Sequence, residues 1–299
     1  MAKISVVINT LNEEKNLPRC LSSLGDLADE VIVVDMKSTD ATRTLARRAG
    51  ASVYEHARMG YVEPARNFAI SKTTGDWVLV LDADEELTAQ LVHTLKKLRE
   101  TPTADYYRLP RKNIVFGKWI KHSRWWPDYN IRFFKKGFVE WSELIHSVPT
   151  TKGKGIDLEG NEENAIVHHH YDTIDQYVAR MNRYTTMQAK EMRKNKYYFK
   201  WRDLIRKPMS EFLSRYFQGE GYKDGIHGLG LSLLQAFSEL VLYLKLWELS
   251  KFKSQIIDTE EIIKELKTSQ KELNYWNANV LCIKHGGIVN QVKRKFKLP

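Results

Sequence analysis

GDWVLVLDADE, residues 75–85, is the stretch that decides the fold. Trp77–Leu81 is an unbroken apolar run, as expected of a strand buried on both faces of a parallel sheet. Two carboxylates, Asp82 and Asp84, follow it at once. In an open α/β sheet, ligands bind at the carboxyl ends of the strands. A single intervening residue lets both side chains reach a shared cation and its substrate. Hard oxygen ligands of this kind suit Mg2+ or Mn2+, with water and phosphate completing the shell.

Working outward, Ile4–Ile8 and Val31–Val34 are two more short β-branched runs, and Ser52–Tyr54 is a weaker one. Between them lie helical patterns over residues 13–25, with Leu17, Leu21 and Leu24 on one face, and over 41–49, opened by Asp40 and closed by Gly50. Further helices are expected over 64–73 and 87–99. This β-α alternation predicts an α/β fold: a parallel-centred sheet with helices on both faces. The first strand ends in Asn9-Thr10-Leu11-Asn12-Glu13-Glu14 and the second in Asp35, then Lys37-Ser38-Thr39-Asp40. Three strand ends thus offer carboxylates and hydroxyls to one crevice. Helix N-capping by Asn12, Ser38 and Asp40 accounts for some of them, but no cap requires Asp35.

Beyond about residue 104 the pattern changes. Residues 105–150 are short, aromatic-rich strands and turns, 152–164 a Gly- and charge-rich loop, and the chain from Ile174 reads as helical. There Ile174, Tyr177, Val178, Met181 and Tyr184 are expected on one buried face. Three regions follow: 1–104, 105–172 and a helical 173–299. The chain of 299 residues is 42% hydrophobic and 28% charged, which excludes long disorder. Its net charge of +10 is uneven, since residues 190–299 hold 21 basic and 12 acidic side chains. That stretch calls for an anionic partner surface. Cys20 and Cys282 stand far apart and outside any CxxC pair, so no zinc site is expected. No run of about 18 uncharged apolar residues is present, so no spanning helix is expected, and a cytoplasmic location follows.

The set ISVVINTLNEE, VIVVDMKSTDAT, EPARNFAI and GDWVLVLDADE, in this order over residues 4–86, resembles the family 2 glycosyltransferases with the GT-A fold. RWWPDYNIRFF, the LIHS segment and HHHYDTIDQYVARMNRYT resemble, more narrowly, the WaaE-like lipopolysaccharide-core β-glucosyltransferases. GEGYKDGIHGLGLSLLQAF is similar to the membrane-proximal tail of such bacterial enzymes.

The resemblance implies an inverting transfer from a nucleotide sugar, a UDP-sugar foremost, to a lipid-linked or lipopolysaccharide acceptor. It implies that Thr10 and Glu13 line the nucleoside pocket, Asp35 accepts from the base, Arg66 approaches the nucleotide, and Asp82 touches the ribose or the cation's water shell. It implies Mn2+ or Mg2+ on Asp84, with His146 as a further ligand. The residue after His146 is Ser147, where the subgroup has Glu. An acid–base role is therefore not carried over to that place. The acceptor hydroxyl needs a base, and Asp128, Glu140 and Glu143 are the candidates. Around Asp128, Trp125 and Trp126 are expected to desolvate the carboxylate and raise its pKa. Trp119, Trp125, Trp126 and Trp141, interleaved with basic residues, are expected to wall an acceptor cleft. His168 and His170 are read as structural, for want of a carboxylate at ligand spacing.

Residues 190–217 mix Lys and Arg with aromatics, which fits an anionic bilayer surface. No nucleic-acid fold signature accompanies them. Ile226–Leu249 follows, with an interfacial helix preferred over a homo-oligomer or core helix. The expected site of action is the inner face of the cytoplasmic membrane. A transferase acting on a polyprenyl-phosphate-linked sugar or a protein is the alternative. A nucleotidyltransferase would want a Gly-rich loop after the first strand, which NTLNEE lacks. A non-catalytic scaffold would not need Asp35, Arg66, Asp82 and Asp84 together.

Overall fold

The computed structural model describes residues 1–58, 63–141 and 149–299. In chain order the elements are β1 (Ile4–Thr10), α1 (Leu17–Ser23), β2 (Glu30–Asp35), α2 (Thr42–Arg48), β3 (Ser52–Glu55), α3 (Glu63–Ser71), β4 (Trp77–Asp82), β5 (Glu85–Glu86), α4 (Ala89–Glu100), β6 (Tyr106–Val115), β7 (Lys118–Trp119), β8 (Asp128–Lys135), β9 (Val139–Glu140), β10 (Thr150–Thr151), β11 (Gly155–Asp157) and β12 (Ile166–Tyr171). Five α-helices follow: α5 (Ile174–Lys194), α6 (Asp203–Leu213), α7 (Ile226–Leu249), α8 (Thr259–His285) and α9 (Ile288–Phe296), with short π and 3-10 turns over Ser214–Gln218 and Gly221–Asp224. The chain divides into two compact units, Met1–Ile114 with Trp126–His170, and Val115–Trp125 with Tyr171–Pro299.

The first unit is built on one mixed sheet of order β3-β2-β1-β4-β8-β6-β12-β5. β1 pairs in parallel with β2 and β4, β2 pairs in parallel with β3, and β8 runs antiparallel to both β4 and β6. Every residue of β1 is buried, because helices cover both faces. Val6, Ile8, Val33, Leu79 and Leu81 face one core with Leu17, Leu91 and Leu95, while Val7, Ile32, Val34, Val78 and Val80 face another with Ala65 and Ala69. The alternation follows from the two-residue period of a strand. Gly75 precedes β4 because a Cβ there would lie 2.7 Å from Ser5 Oγ and 2.8 Å from the Lys3 carbonyl oxygen. The register sets Thr10 opposite Asp35 and Asn9 opposite Asp82. The strand ends therefore share one edge, as expected.

Two expected elements differ. α1 begins only at Leu17 and has no side-chain cap. Asn12 and Ser38 lace two loops together instead: Asn12 N donates to Ser38 Oγ at 2.8 Å, and Thr39 N to Asn12 Oδ1 at 2.8 Å. Ahead of α4, β5 takes up Glu85–Glu86, and Thr88 caps the helix by accepting from Leu91 N.

In the second unit α5 opens with a reciprocal cap between Thr173 and Gln176. It buries Tyr177, Met181, Thr185 and Ala189, one residue every helical turn, and leaves Ile174 and Val178 exposed. This narrows the expected stripe. α7, 24 residues long, meets the length and composition of a membrane-crossing helix. It nevertheless buries Gly228, Leu231, Ser232, Leu242, Tyr243 and Leu246 within this unit, and leaves Leu233, Phe237 and Leu244 exposed. Gly228 is glycine because a Cβ there would sit 1.8 Å from the Gly221 carbonyl oxygen. Beside it, buried Asp224 accepts from His122 N at 2.9 Å and Lys121 N at 3.2 Å, which anchors the 115–125 excursion. Part of the basic stretch is used internally. Arg202 and Arg206 both bind buried Glu265 of α8, and Arg215 pairs with Glu211 at 2.7 Å.

Candidate active site

At the carboxyl edge of the parallel strands, Asp35 is fully buried. Thr10 Oγ1 donates to its Oδ1 at 3.2 Å, and Ser38 N to its Oδ2 at 2.8 Å. Two of the residues expected in the nucleoside pocket are therefore in contact, and Asp35 is fixed in orientation by its neighbours. Glu13 is half-buried one loop away, where its N–H donates to Thr42 Oγ1 at 2.8 Å and its Oε2 accepts from Asn16 at 2.9 Å.

β4 delivers Asp82 into a chain of alternating charges. Arg66, from α3, donates to Asp82 Oδ1 at 2.8 Å, and Arg132, from β8, donates to Asp82 Oδ2 at 2.6 Å. Arg132 also holds Glu85 Oε1 at 2.5 Å. Arg111 reaches the same oxygen at 3.3 Å and then pairs with Asp128 at 2.5 Å. Arg132 and Glu85 are buried, and Glu85 is fixed further by the Asp82 N–H at 2.9 Å. Burial alone would push the Asp82 carboxyl up, but the charges of Arg132 and then Arg66 outweigh it and hold the group well below the usual carboxylate range. Arg132 is in turn raised by Asp82 and Glu85 against the effect of its own burial. Among the described residues the Nε atoms of Arg66 and Arg132 and the side-chain amide of Asn9 are buried without a hydrogen-bond partner.

Both oxygens of Asp82 are thus paired with arginines. Asp84 differs. Its side chain is 15% exposed, and its Oδ2 lies 3.5 Å from His168 Nε2. His168 is buried and shares a 2.6 Å hydrogen bond from Nδ1 with Asn113 Oδ1. A carboxylate thus stands beside the histidine run in space, although none stands at ligand spacing in the sequence. Asp84 supplies hard oxygen and His168 an imidazole nitrogen. No group of three or more His, Cys, Asp or Glu ligands occurs among the described residues. That donor set fits Mg2+ or Mn2+, which keep waters and substrate phosphates in the shell.

Asp128 lies at the far end of the charge chain. Burial would raise its pKa, but the Arg111 charge and hydrogen bonds from Arg111, Asn113 and Asn130 outweigh that, and the carboxyl sits below its ordinary value. This reverses the expected direction. Glu140, at the end of β9, is exposed. Its neighbour Trp141 is a core residue against Phe134, clamped by Asn67 through its N–H and carbonyl and covered by Arg66 at 5.8 Å. This corrects the expectation that Trp141 walls an acceptor cleft. Trp119 and Trp125 belong to the second unit, and Trp126 to the first. Glu143 and His146 lie outside the described residues. Sequence reasoning missed Arg132, Glu85 and Arg111. The available signal was an arginine inside the apolar strand run NIRFF and an acid directly after Asp84.

Residues 5–153 match the family described as Glycosyl transferase family 2. An uncharacterized glycosyltransferase of Rickettsia typhi is 32% identical over 272 residues, covering 88% of this chain and 93% of its own. The chain belongs to glycosyltransferase family 2. A lipopolysaccharide core biosynthesis glycosyltransferase, LpsC of Rhizobium meliloti, is 27% identical over 84% of this chain and 94% of its own. Among solved structures, glucosyl-3-phosphoglycerate synthase from Mycobacterium tuberculosis with Mn2+, UDP and glucosyl-3-phosphoglycerate is 30% identical, with a TM-score of 0.32. That likeness covers 39% of this chain and 45% of the other. The sheet of this glycosyltransferase, parallel from β3 to β4 with β8 added antiparallel beyond β4, carries the GT-A arrangement inferred from its motifs.

Proposed function

We propose that this glycosyltransferase moves a sugar, with inversion, from a UDP-sugar to a lipid-linked acceptor such as lipopolysaccharide core, at the inner face of the cytoplasmic membrane. The observation that carries the donor half is the common strand edge, where Thr10, Asp35, Asp82 and Asp84 follow the ends of three adjacent parallel strands. Thr10 and Asp35 would hold the base, and Arg66 and Asp82 would border the ribose and diphosphate. Asp84, with His168 beside it, would hold Mn2+ or Mg2+, whose charge would stabilise the leaving diphosphate. The chain of arginines and carboxylates would keep these groups oriented before the donor arrives.

The acceptor half is supported by the likeness to LpsC over most of both chains. Association with an anionic membrane surface is supported by the net +9 of residues 190–299 and the exposed Leu233, Phe237 and Leu244 of α7. A panel of nucleotide sugars, each with Mn2+ or EDTA, tests the donor half by thermal stabilisation. A UDP-sugar that stabilises only with the cation is expected. Equal stabilisation in EDTA would remove the cation from the reading.

A further inference from the structure

α9 is an amphipathic helix mounted with its faces reversed. Ile288, Val289, Val292 and Phe296, spaced i, i+1, i+4 and i+8, share one face. All four are exposed, Ile288 at 79%, Val289 at 68% and Phe296 at 62%. The half-buried positions of the helix are polar: Asn290, Lys293 and Arg294. Arg294 donates to Asn279 of α8 at 3.2 Å, and Asn290 donates to the Gly286 carbonyl at 2.7 Å. A helix that stabilises a water-soluble fold places its apolar face against its neighbour. This one holds α8 by polar contacts and presents the apolar stripe outward.

The charge around the stripe identifies what covers it. After Glu272 the chain has no Asp or Glu, and carries Lys284, Lys293, Arg294, Lys295 and Lys297. Among the described residues Lys293 and Lys295 form no ion pair, and Lys295 lies over the Phe296 ring at 5.5 Å. An apolar stripe flanked by unpaired lysines is the composition of a helix lying in the headgroup region of an anionic bilayer. A second copy of this chain would bring the same positive charges against one another. We propose that α9 is an interfacial anchor that inserts Ile288, Val289, Val292 and Phe296 into an anionic lipid surface. This deepens the membrane part of the proposed function and rests on it. It moves the anchor away from residues 190–217, whose Arg202, Arg206 and Arg215 are already paired.

Flotation of the full chain with vesicles of phosphatidylcholine alone, or mixed with phosphatidylglycerol, tests this. The wild type is expected to float with the mixed vesicles, less so at high salt. The triple variant Ile288→Ser, Val289→Ser, Phe296→Ser should lose at least about tenfold in partitioning, with its cation-dependent UDP binding intact. Lys293→Gln with Lys295→Gln should weaken flotation only with the anionic vesicles, a readout independent of any change in helix packing. A second set, Lys194→Gln, Lys196→Gln and Lys200→Gln, separates the two readings. If that set abolishes flotation and the α9 variants float like the wild type, the membrane reading stands and the anchor assignment falls. If the wild type floats with neither vesicle, both fall. If light scattering then shows a dimer that the triple variant dissolves, a second copy covers the stripe.

Discussion

Asp82 and Asp84 are separated by one residue, yet their surroundings predict opposite consequences of the same substitution. Asp82→Asn removes a carboxylate shared by Arg66 and Arg132, whose side chains are 14% and 3% exposed. Breaking a buried ion pair from one side costs about 3–5 kcal/mol, because the partner charge stays buried. Here the cost is reduced, since Asp82 itself is 26% exposed, Arg132 keeps Glu85, and the new amide oxygen still accepts one hydrogen bond. A loss of about 2–3 kcal/mol remains, which for a unit of this size lowers the unfolding midpoint by roughly 4–12 °C. Asp84→Asn weakens the side chain's contact with His168, a change worth about 1 kcal/mol or less. Its effect should fall instead on UDP binding in the presence of Mn2+, with a loss of tenfold or more. Thermal unfolding and calorimetric UDP titration with and without Mn2+ read both. The reasoning is refuted if Asp84→Asn melts as early as Asp82→Asn while keeping its cation-dependent binding.

The position of Asp128 gives a pH prediction. Its carboxyl is held below the ordinary value by the Arg111 charge and its hydrogen bonds, so if it is the base, the acidic limb of kcat/KM lies below the usual carboxylate range. Arg111→Met removes the main counter-charge and leaves burial to act, so the limb should move to higher pH; a profile that stays put would take Asp128 out of the proton transfer. Two glycines of α7 form a matched pair for stability. Gly228→Ala would drive a Cβ to 1.8 Å from the Gly221 oxygen and should cost about 2 kcal/mol or more, whereas Gly230 has nothing within 4 Å and Gly230→Ala should gain about 0.5–1 kcal/mol. Equal melting shifts for the two would show that the 221–228 contact does not constrain this unit.

The parallel half of the sheet was legible because its strands are buried on both faces. Runs such as VIVV and WVLVL have no other use for so many apolar side chains in so few residues, and the carboxylate after each run marks the edge where ligands bind. The role of each carboxylate was not legible. Whether an acid meets a cation or an arginine depends on which distant strand lies beside it. Arg132 reaches Asp82 across 50 residues because β8 adds antiparallel to β4. Local spacing carries no trace of that pairing. The Asp128 pKa was misjudged for the same reason: two tryptophans precede it in sequence, but its hydrogen bonds come from Arg111, Asn113 and Asn130. The excursion 115–125, held by Asp224 from a hundred residues away, was equally hidden.

The alternating chain Arg66–Asp82–Arg132–Glu85–Arg111–Asp128 holds three positive and three negative groups, so it is neutral as a whole. Each interior member is shared by two neighbours of opposite charge, and moving any one of them strands a buried charge. This favours a rigid edge suited to orienting a diphosphate, since its dipoles need no rearrangement during reaction. The same feature works against a general base. Every hydrogen bond that stabilises the Asp128 anion lowers its affinity for the proton it would have to take from an acceptor hydroxyl. Glu140 stands apart from this charge chain. It is exposed, forms no ion pair among the described residues, and precedes Trp141, over which Arg66 lies. The two-point grip of Asp128 on Arg111 is therefore better suited to holding the charge chain in place than to accepting a proton.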